Sequence, residues 1–225
     1  MAASHLKRKV APKTWPILRK TTKFIARPKP KGQSLAFTLP IVVVMRDVLG
    51  VVQTADQARK VLRSQPVTVN GTRIYDTDSA VGFMDIVNIG GHNHRLTINA
   101  NNTLQIVPVH KGEDFMIEKI MGLTTIRGGK TQLNCASGRN VLVEKGTYKV
   151  GDSVQVSLDG KLGTRYALEK GAAVLVIAGS HIGAVGNIDV IEGQNITITA
   201  GKEAFQTRSS HVYVVGKEKP AITLN

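Results

Sequence analysis

Residues 54–74 read TADQARKVLRSQPVTVNGTRI, a helix, its stop and a hairpin in close succession. Thr54 with Gln57 three residues on is a capping-box pattern, which starts the helix there. At about 100° per residue, Ala55, Ala58, Val61 and Leu62 gather on one face, while Arg59, Lys60 and Arg63 gather on roughly the opposite one. The helix is therefore amphipathic, with a basic outer face. Pro66 ends it. Val67, Val69 and Ile74 then alternate with Thr68 and Arg73 around Asn70-Gly71, the dipeptide that a two-residue type I′ turn prefers. No acidic residue follows Asp56 until Asp76. These cations are either a solvated helix face or ligands for phosphate, and the stretch alone leaves both readings open.

Composition bears on that choice. The 225 residues suffice for one large domain or two to three small ones with a proper core. A net charge of +14 and a pI near 10.1 point to a polyanionic partner, nucleic acid before membrane, because counterion release rewards each phosphate neutralised. The charge is uneven. Residues 1–32, MAASHLKRKVAPKTWPILRKTTKFIARPKPKG, hold ten Lys or Arg, no Asp or Glu, and four of the eight prolines. Such a segment repels itself and buries little, so a tail over residues 1–37 is expected to be disordered or draped when free and to fold onto an anion. Its cations Lys7, Arg8, Lys9, Lys13, Arg19, Lys20, Lys23, Arg27, Lys29 and Lys31 are candidate RNA ligands. Trp15 and Phe24, interleaved with them, either stack on exposed bases or dock the tail onto its own domain.

Other classes of function lack their residues. No apolar segment of signal-peptide length follows the basic start, and the apolar runs at 41–45 and 172–178 are too short to span a bilayer. A soluble, cytoplasmic protein is expected. The single cysteine, Cys135, permits no intramolecular disulfide and reads as a small buried residue. RGGKT at 127–131 has the end of a phosphate-binding P-loop, but Thr124 stands where the first glycine is required and no helix pattern follows. GGHNHR offers His92 and His94 without a third metal ligand beside them, and GSHIGAVG lacks the helix of a dinucleotide fingerprint. The chain is read as no enzyme, with no cofactor, no metal and no small-molecule substrate.

Along the chain an α+β, multi-domain organisation emerges. After the tail, residues 38–92 read as helix, helix, hairpin and a further short strand; Thr38 as cap, Pro40 in the first turn and Gly50 as stop favour a helix for LAFTLPIVVVMRDVLG. Residues 93–170 alternate with period two and form a central β-rich domain. Residues 171–225 hold the strands VLVIA, NIDVI, ITITA, FQTRS and HVYVV, enough for a small five-stranded barrel.

At this point known families come into view. TADQARKVLRSQPVTVNGTRI followed by VGFMDIVNI resembles the S-four RNA-binding domain, and KGAAVLVIAGSHIGAVGNI resembles a KOW motif, the glycine-turn segment of a small barrel. Their order, behind HLKRKVAPKTWPI and ahead of HVYVVGKEKP, is similar to the small-subunit ribosomal protein S-four-e family of archaea and eukaryotes. The resemblance implies a structural protein whose partners are small-subunit ribosomal RNA and neighbouring ribosomal proteins, with no membrane. It implies Arg59, Lys60 and Arg63 as phosphate-facing helix charges, Arg73 on the hairpin and HLKRK as an RNA-penetrating tail. Arg46 and Asn70 join the RNA-binding set. The KOW-type loop comprises Gly179, His181, Gly183 and Gly186. Gly183 is flanked by Ile182 and Ala184 where many KOW loops carry Lys or Arg, which leaves His181 or a protein neighbour as its contact. The rival reading is a stand-alone RNA-binding regulator of transcription or translation sharing these modules. The pseudouridine synthases that carry S-four domains have an Arg-Leu-Asp stretch, and none occurs here.

Overall fold

A computed structural model of the chain describes residues 5–110, 112–144, 146–201 and 203–224. The chain divides into two compact units, Met1–Ile98 with Asn102–Lys111, and Asn99–Asn101 with Gly112–Asn225.

The first unit contains β1 (Leu6–Lys7), β2 (Phe24–Ile25), β3 (Thr38–Pro40) and α1 (Ile41–Val43), which continues as a π-helical turn over Val44–Val48. Then come α2 (Ala55–Ser64), β4 (Thr68–Val69), β5 (Thr72–Arg73), β6 (Ala80–Gly82), β7 (Ile86–Ile89), β8 (His92–Ile98) and β9 (Leu104–Pro108). Five strands make one antiparallel sheet in the order β5-β4-β7-β8-β9, while β1 pairs with β2 and β3 with β6. Ile41, Val43, Val44 and Met45 are fully buried and form the centre of the core with Leu39, Ala58, Leu62, Val67 and Leu96.

Three sequence expectations change here. Thr38 does not cap α1: its backbone pairs with Gly82 and its hydroxyl donates to Ser34 O, so the helix starts two residues later, with Pro40 at the cap position. The boundary expected between residues 92 and 93 falls inside a sheet, because β8 pairs with β7 along its first half and β9 follows in the same ladder. The basic segment is no draped tail over its described residues. Leu6, Ala11, Trp15 and Ile25 join the core cluster, and their burial outweighs the local repulsion that the composition suggested.

The second unit opens with β10 (Phe115–Thr125), β11 (Thr131–Cys135), β12 (Asn140–Val143), β13 (Ser153–Ser157) and β14 (Leu162–Tyr166) in the order β12-β11-β10-β13-β14. It continues with β15 (Ala173–Val176), β16 (Val185–Glu192), β17 (Asn195–Ala200), β18 (Glu203–Arg208) and β19 (Val212–Gly216), ordered β18-β17-β16-β15-β19. The five C-terminal strands lie where the sequence placed them. Their ladder leaves β18 and β19 at opposite edges, so the small five-stranded barrel expected is a half-barrel. No boundary separates residues 170 and 171, because the two sheets share one compact unit. Tyr213 Oη donates to Ile117 O at 2.7 Å and accepts the Lys119 N–H at 3.0 Å, tying β19 to β10. The Lys119 ammonium, 4 % exposed, donates to Ser209 O, Ser210 O and Val212 O at 3.0, 3.1 and 2.6 Å. Burial pulls its pKa down to about 8. Burial likewise pushes the Cys135 thiol up to about 12, with the Glu118 charge adding and Arg139 opposing.

Candidate nucleic-acid interface

Helix α2 is capped as its sequence requires. Thr54 Oγ1 accepts from the Gln57 N–H at 3.2 Å, and Gln57 Oε1 accepts from the Thr54 N–H at 3.1 Å. Ala58 and Leu62 are buried and Val61 half-buried, whereas Ala55 is exposed. The cations therefore point outward. Arg59 pairs with Asp56 at 2.5 Å, both side chains being mostly in water, so the pair restrains little. Lys60 and Arg63 are exposed and make no ion pair among the described residues.

The hairpin carries the next charge. Asn70 and Gly71 adopt φ of 52° and 79°, the left-handed pair a type I′ turn demands. Across it Thr68 faces Arg73, whose guanidinium lies 4.9 Å from the centroid of the exposed Tyr75 ring. Sequence reasoning missed Tyr75. The signal available was a large aromatic just past the alternating run, beside Arg73.

Asn70 is no RNA ligand in this arrangement. It is 8 % exposed, its Nδ2 donates to Asp85 Oδ1 at 2.8 Å, and its Oδ1 accepts from the Ile86 N–H at 2.9 Å. Asp85 also accepts from the Gly82 N–H at 2.5 Å and from the Lys31 ammonium. One buried carboxylate thus fixes the turn, the start of β7 and the end of the basic segment, and Lys31 serves the fold.

The basic segment sorts in the same way. Trp15, 2 % exposed, donates from Nε1 to Leu35 O at 3.1 Å and offers no ring face to a base. Arg8 is buried, its Nε donating to Thr22 Oγ1 at 3.0 Å and its Nη1 to Leu18 O at 2.9 Å. Arg19 donates to Ala11 O at 2.7 Å and Pro12 O at 2.5 Å. Lys29 pairs with Asp76 and Arg46 with Asp47. Lys7, Lys9, Lys13, Lys20, Lys23 and Arg27 remain exposed. Lys7, Lys9, Lys20 and Lys23 line a cleft of about 530 Å³ with Arg19. Lys23 also borders a groove of about 790 Å³ that reaches Arg46, Gln53 and Ala55 at the start of α2. Phe24, the aromatic left accessible, sits under Lys23 Nζ at 5.4 Å.

In the second unit the glycine loop precedes β16. His181 is exposed and its ring stacks on Phe205 at 4.0 Å between centroids and 11° between planes. Gly179 and Gly183 lie in the turn, while Gly186 sits inside β16, where a Cβ would stand 2.4 Å from Thr199 O. Gly186 is therefore required by strand approach. His94 Nδ1 lies 3.1 Å from His92 O, and burial lowers its pKa, with backbone partners opposing. Among the described residues no three His, Cys, Asp or Glu side chains converge on a metal position, and no helix is long and apolar enough to cross a membrane.

Small β modules bearing an outward basic face poor in carboxylates are the architecture of a polyanion-binding protein. Known proteins sharpen that class. Residues 90–161 match the sequence profile of the ribosomal family S4e, and residues 3–30 match the RS4NT (NUC023) domain. The small ribosomal subunit protein eS4 of Methanocella arvoryzae is 34 % identical over 99 % of this chain and 98 % of its own length. That of Methanosphaera stadtmanae is 33 % identical over 98 % of this chain and 95 % of its own. The crystal structure of the 30S ribosomal protein S4e from Thermoplasma acidophilum superposes with a TM-score of 0.70 at 26 % identity, covering 80 % of this chain and 95 % of that one. The chain belongs to the ribosomal S4e family.

Proposed function

We propose that the chain is a structural constituent of the small ribosomal subunit that binds ribosomal RNA by backbone and shape, with neighbouring ribosomal proteins as its other partners, in the cytoplasm. The observation that carries this reading is the helix–hairpin element on which Lys60, Arg63 and Arg73 stand exposed with no ion pair among the described residues. In this reading α1, α2 and the β4–β5 hairpin act as an S-four-like module, and β15–β19 as a KOW-type module. Phosphates would be met by the α2 cations and by the lysines of the N-terminal cleft, with Tyr75 and Phe24 available to bases. Relatives matched over nearly the full chain are named as small-subunit proteins, which favours this reading over a stand-alone regulator.

Replacing Arg59, Lys60 and Arg63 together by alanine tests it. The changes are opposite the buried face, so each is expected to shift stability by no more than about 0.5 kcal/mol. Binding to small-subunit ribosomal RNA should weaken across many sequences, and the slope of log affinity against log salt should become shallower by about two to three units. An unchanged slope with an intact thermal melt would return α2 to a merely solvated face.

A further inference from the structure

The RGGKT motif stands outside the interface proposed above, at the hairpin joining β10 to β11. Past the irregularity at Met121, β10 leaves β13 and pairs with β11 alone, from Gly122 opposite Asn134 to Thr125 opposite Thr131. The Ile126 N–H then donates to Lys130 O at 3.0 Å and closes the turn. Arg127, Gly128, Gly129 and Lys130 are all exposed. The two glycines have φ of 87° and 72°, and a Cβ on either would meet no heavy atom within 4 Å. Both glycines are open to solvent.

The charges at this tip are also available. Arg127 has no hydrogen bond or ion pair among the described residues. Lys130 has Glu144 at 3.6 Å, with both side chains more than half in water, a pair too long and too exposed to hold it. No Asp or Glu occurs between Glu118 and Glu144, and the flanks are Thr124, Thr125, the half-buried Ile126, Thr131 and Gln132, which apart from Ile126 present hydroxyls and an amide. Residues 127–131 contain no apolar side chain. A protein partner would need an apolar or aromatic anchor at the centre of its contact. A phosphate needs cations and bare N–H groups, which this turn supplies.

We propose that the 127–130 tip is a second RNA contact, made by the second unit, that holds the phosphate backbone of ribosomal RNA through Arg127, Lys130 and the unshielded glycine peptides. The inference rests on the ribosomal RNA reading above and adds a site to it.

The test compares full-length wild type with R127A/K130A in salt titrations against protein-free small-subunit ribosomal RNA. The variant is expected to bind about tenfold more weakly near 0.1 M salt, with a log–log slope shallower by about 1.5 and an unaltered thermal melt. In parallel, Thr125→Cys carries a tethered hydroxyl-radical source in reconstituted subunits, the native Cys135 being buried. Cleavage of ribosomal RNA from that position supports the contact. An unchanged slope in R127A/K130A, or cleavage confined to protein, overturns it while leaving the α2 interface standing. Wild type that does not bind the RNA overturns the reading beneath both.

Discussion

The two halves of the chain treat charge differently. Residues 1–111 hold seventeen Lys or Arg against five Asp or Glu, and residues 112–225 hold thirteen against eleven. In the first unit four of the five carboxylates are paired, Asp47 with Arg46, Asp56 with Arg59, Asp76 with Lys29 and Asp85 with Lys31, which leaves Lys60, Arg63, Arg73 and the cleft lysines without an ion pair among the described residues. In the second unit the buried charges serve the interior. Asp152 accepts from Arg165 Nε and from the Lys149 and Leu168 N–H groups, holding two loops, and Lys119 lies buried on three carbonyls. The difference teaches that a basic surface is defined by subtraction. A cation counts toward RNA when no carboxylate and no backbone carbonyl has already claimed it.

The largest effect expected is on the basic segment itself. If that segment is part of the first unit's core, Trp15→Ala should cost about 3–5 kcal/mol, since it empties a buried site and orphans Leu35 O. Urea unfolding measures the loss, and limited trypsin digestion should then cut within residues 5–37 sooner in the variant than in wild type. Equal stability and equal cutting would restore the picture of a draped tail.

A smaller effect marks the second unit. Lys119 has a pKa of about 8 when folded against 10.5 when exposed, so the unfolded chain binds more protons between those values. Its contribution to stability therefore rises with pH across about 8 to 10.5. Lys119→Met keeps the apolar stem, removes the ammonium and should flatten that rise relative to wild type, as read from unfolding free energies at the two ends of the window. Parallel curves would mean that Lys119 titrates as a surface lysine, and the contrast between interior and exterior cations would weaken.

The smallest effect is expected at the glycine loop. His181→Ala removes a ring stacked on Phe205 but no charge-poor loop becomes poorer in phosphate contacts, so stability should move by no more than about 1 kcal/mol and the salt slope should stay unchanged. A shallower slope would place this loop on RNA as well and end its reading as a packing surface.

What could be read ahead of the structure was local. The capping box at Thr54 and Gln57, the Asn70-Gly71 turn and the five C-terminal strands each depend on neighbours within a few residues, and each lies where the pattern placed it. Failures occurred where partners are distant in sequence. Trp15 meets Leu35 across twenty residues, Lys31 meets Asp85 across fifty-four, and β8 extends a sheet begun by β4. Asn70 shows both sides in one residue: its backbone conformation followed from the dipeptide, and its side chain's loss to RNA followed from Asp85.

By itself, then, the sequence determined the excess of positive charge, the amphipathic helix with its basic face, the hairpin, the strand-rich second half and the resemblance to a ribosomal family. Those are properties of composition and of short-range pattern, set by steric and hydrogen-bonding rules that act over one or two turns of chain. Tertiary structure alone decided which of the cations remain for RNA, that the N-terminal segment joins the core, and that the half-barrel shares a unit with the sheet before it. Such outcomes turn on burial and on pairing between residues far apart in the chain. Lys23 and Arg8 look alike in sequence, but one is exposed at an open cleft and the other is buried and held by Thr22 and Leu18.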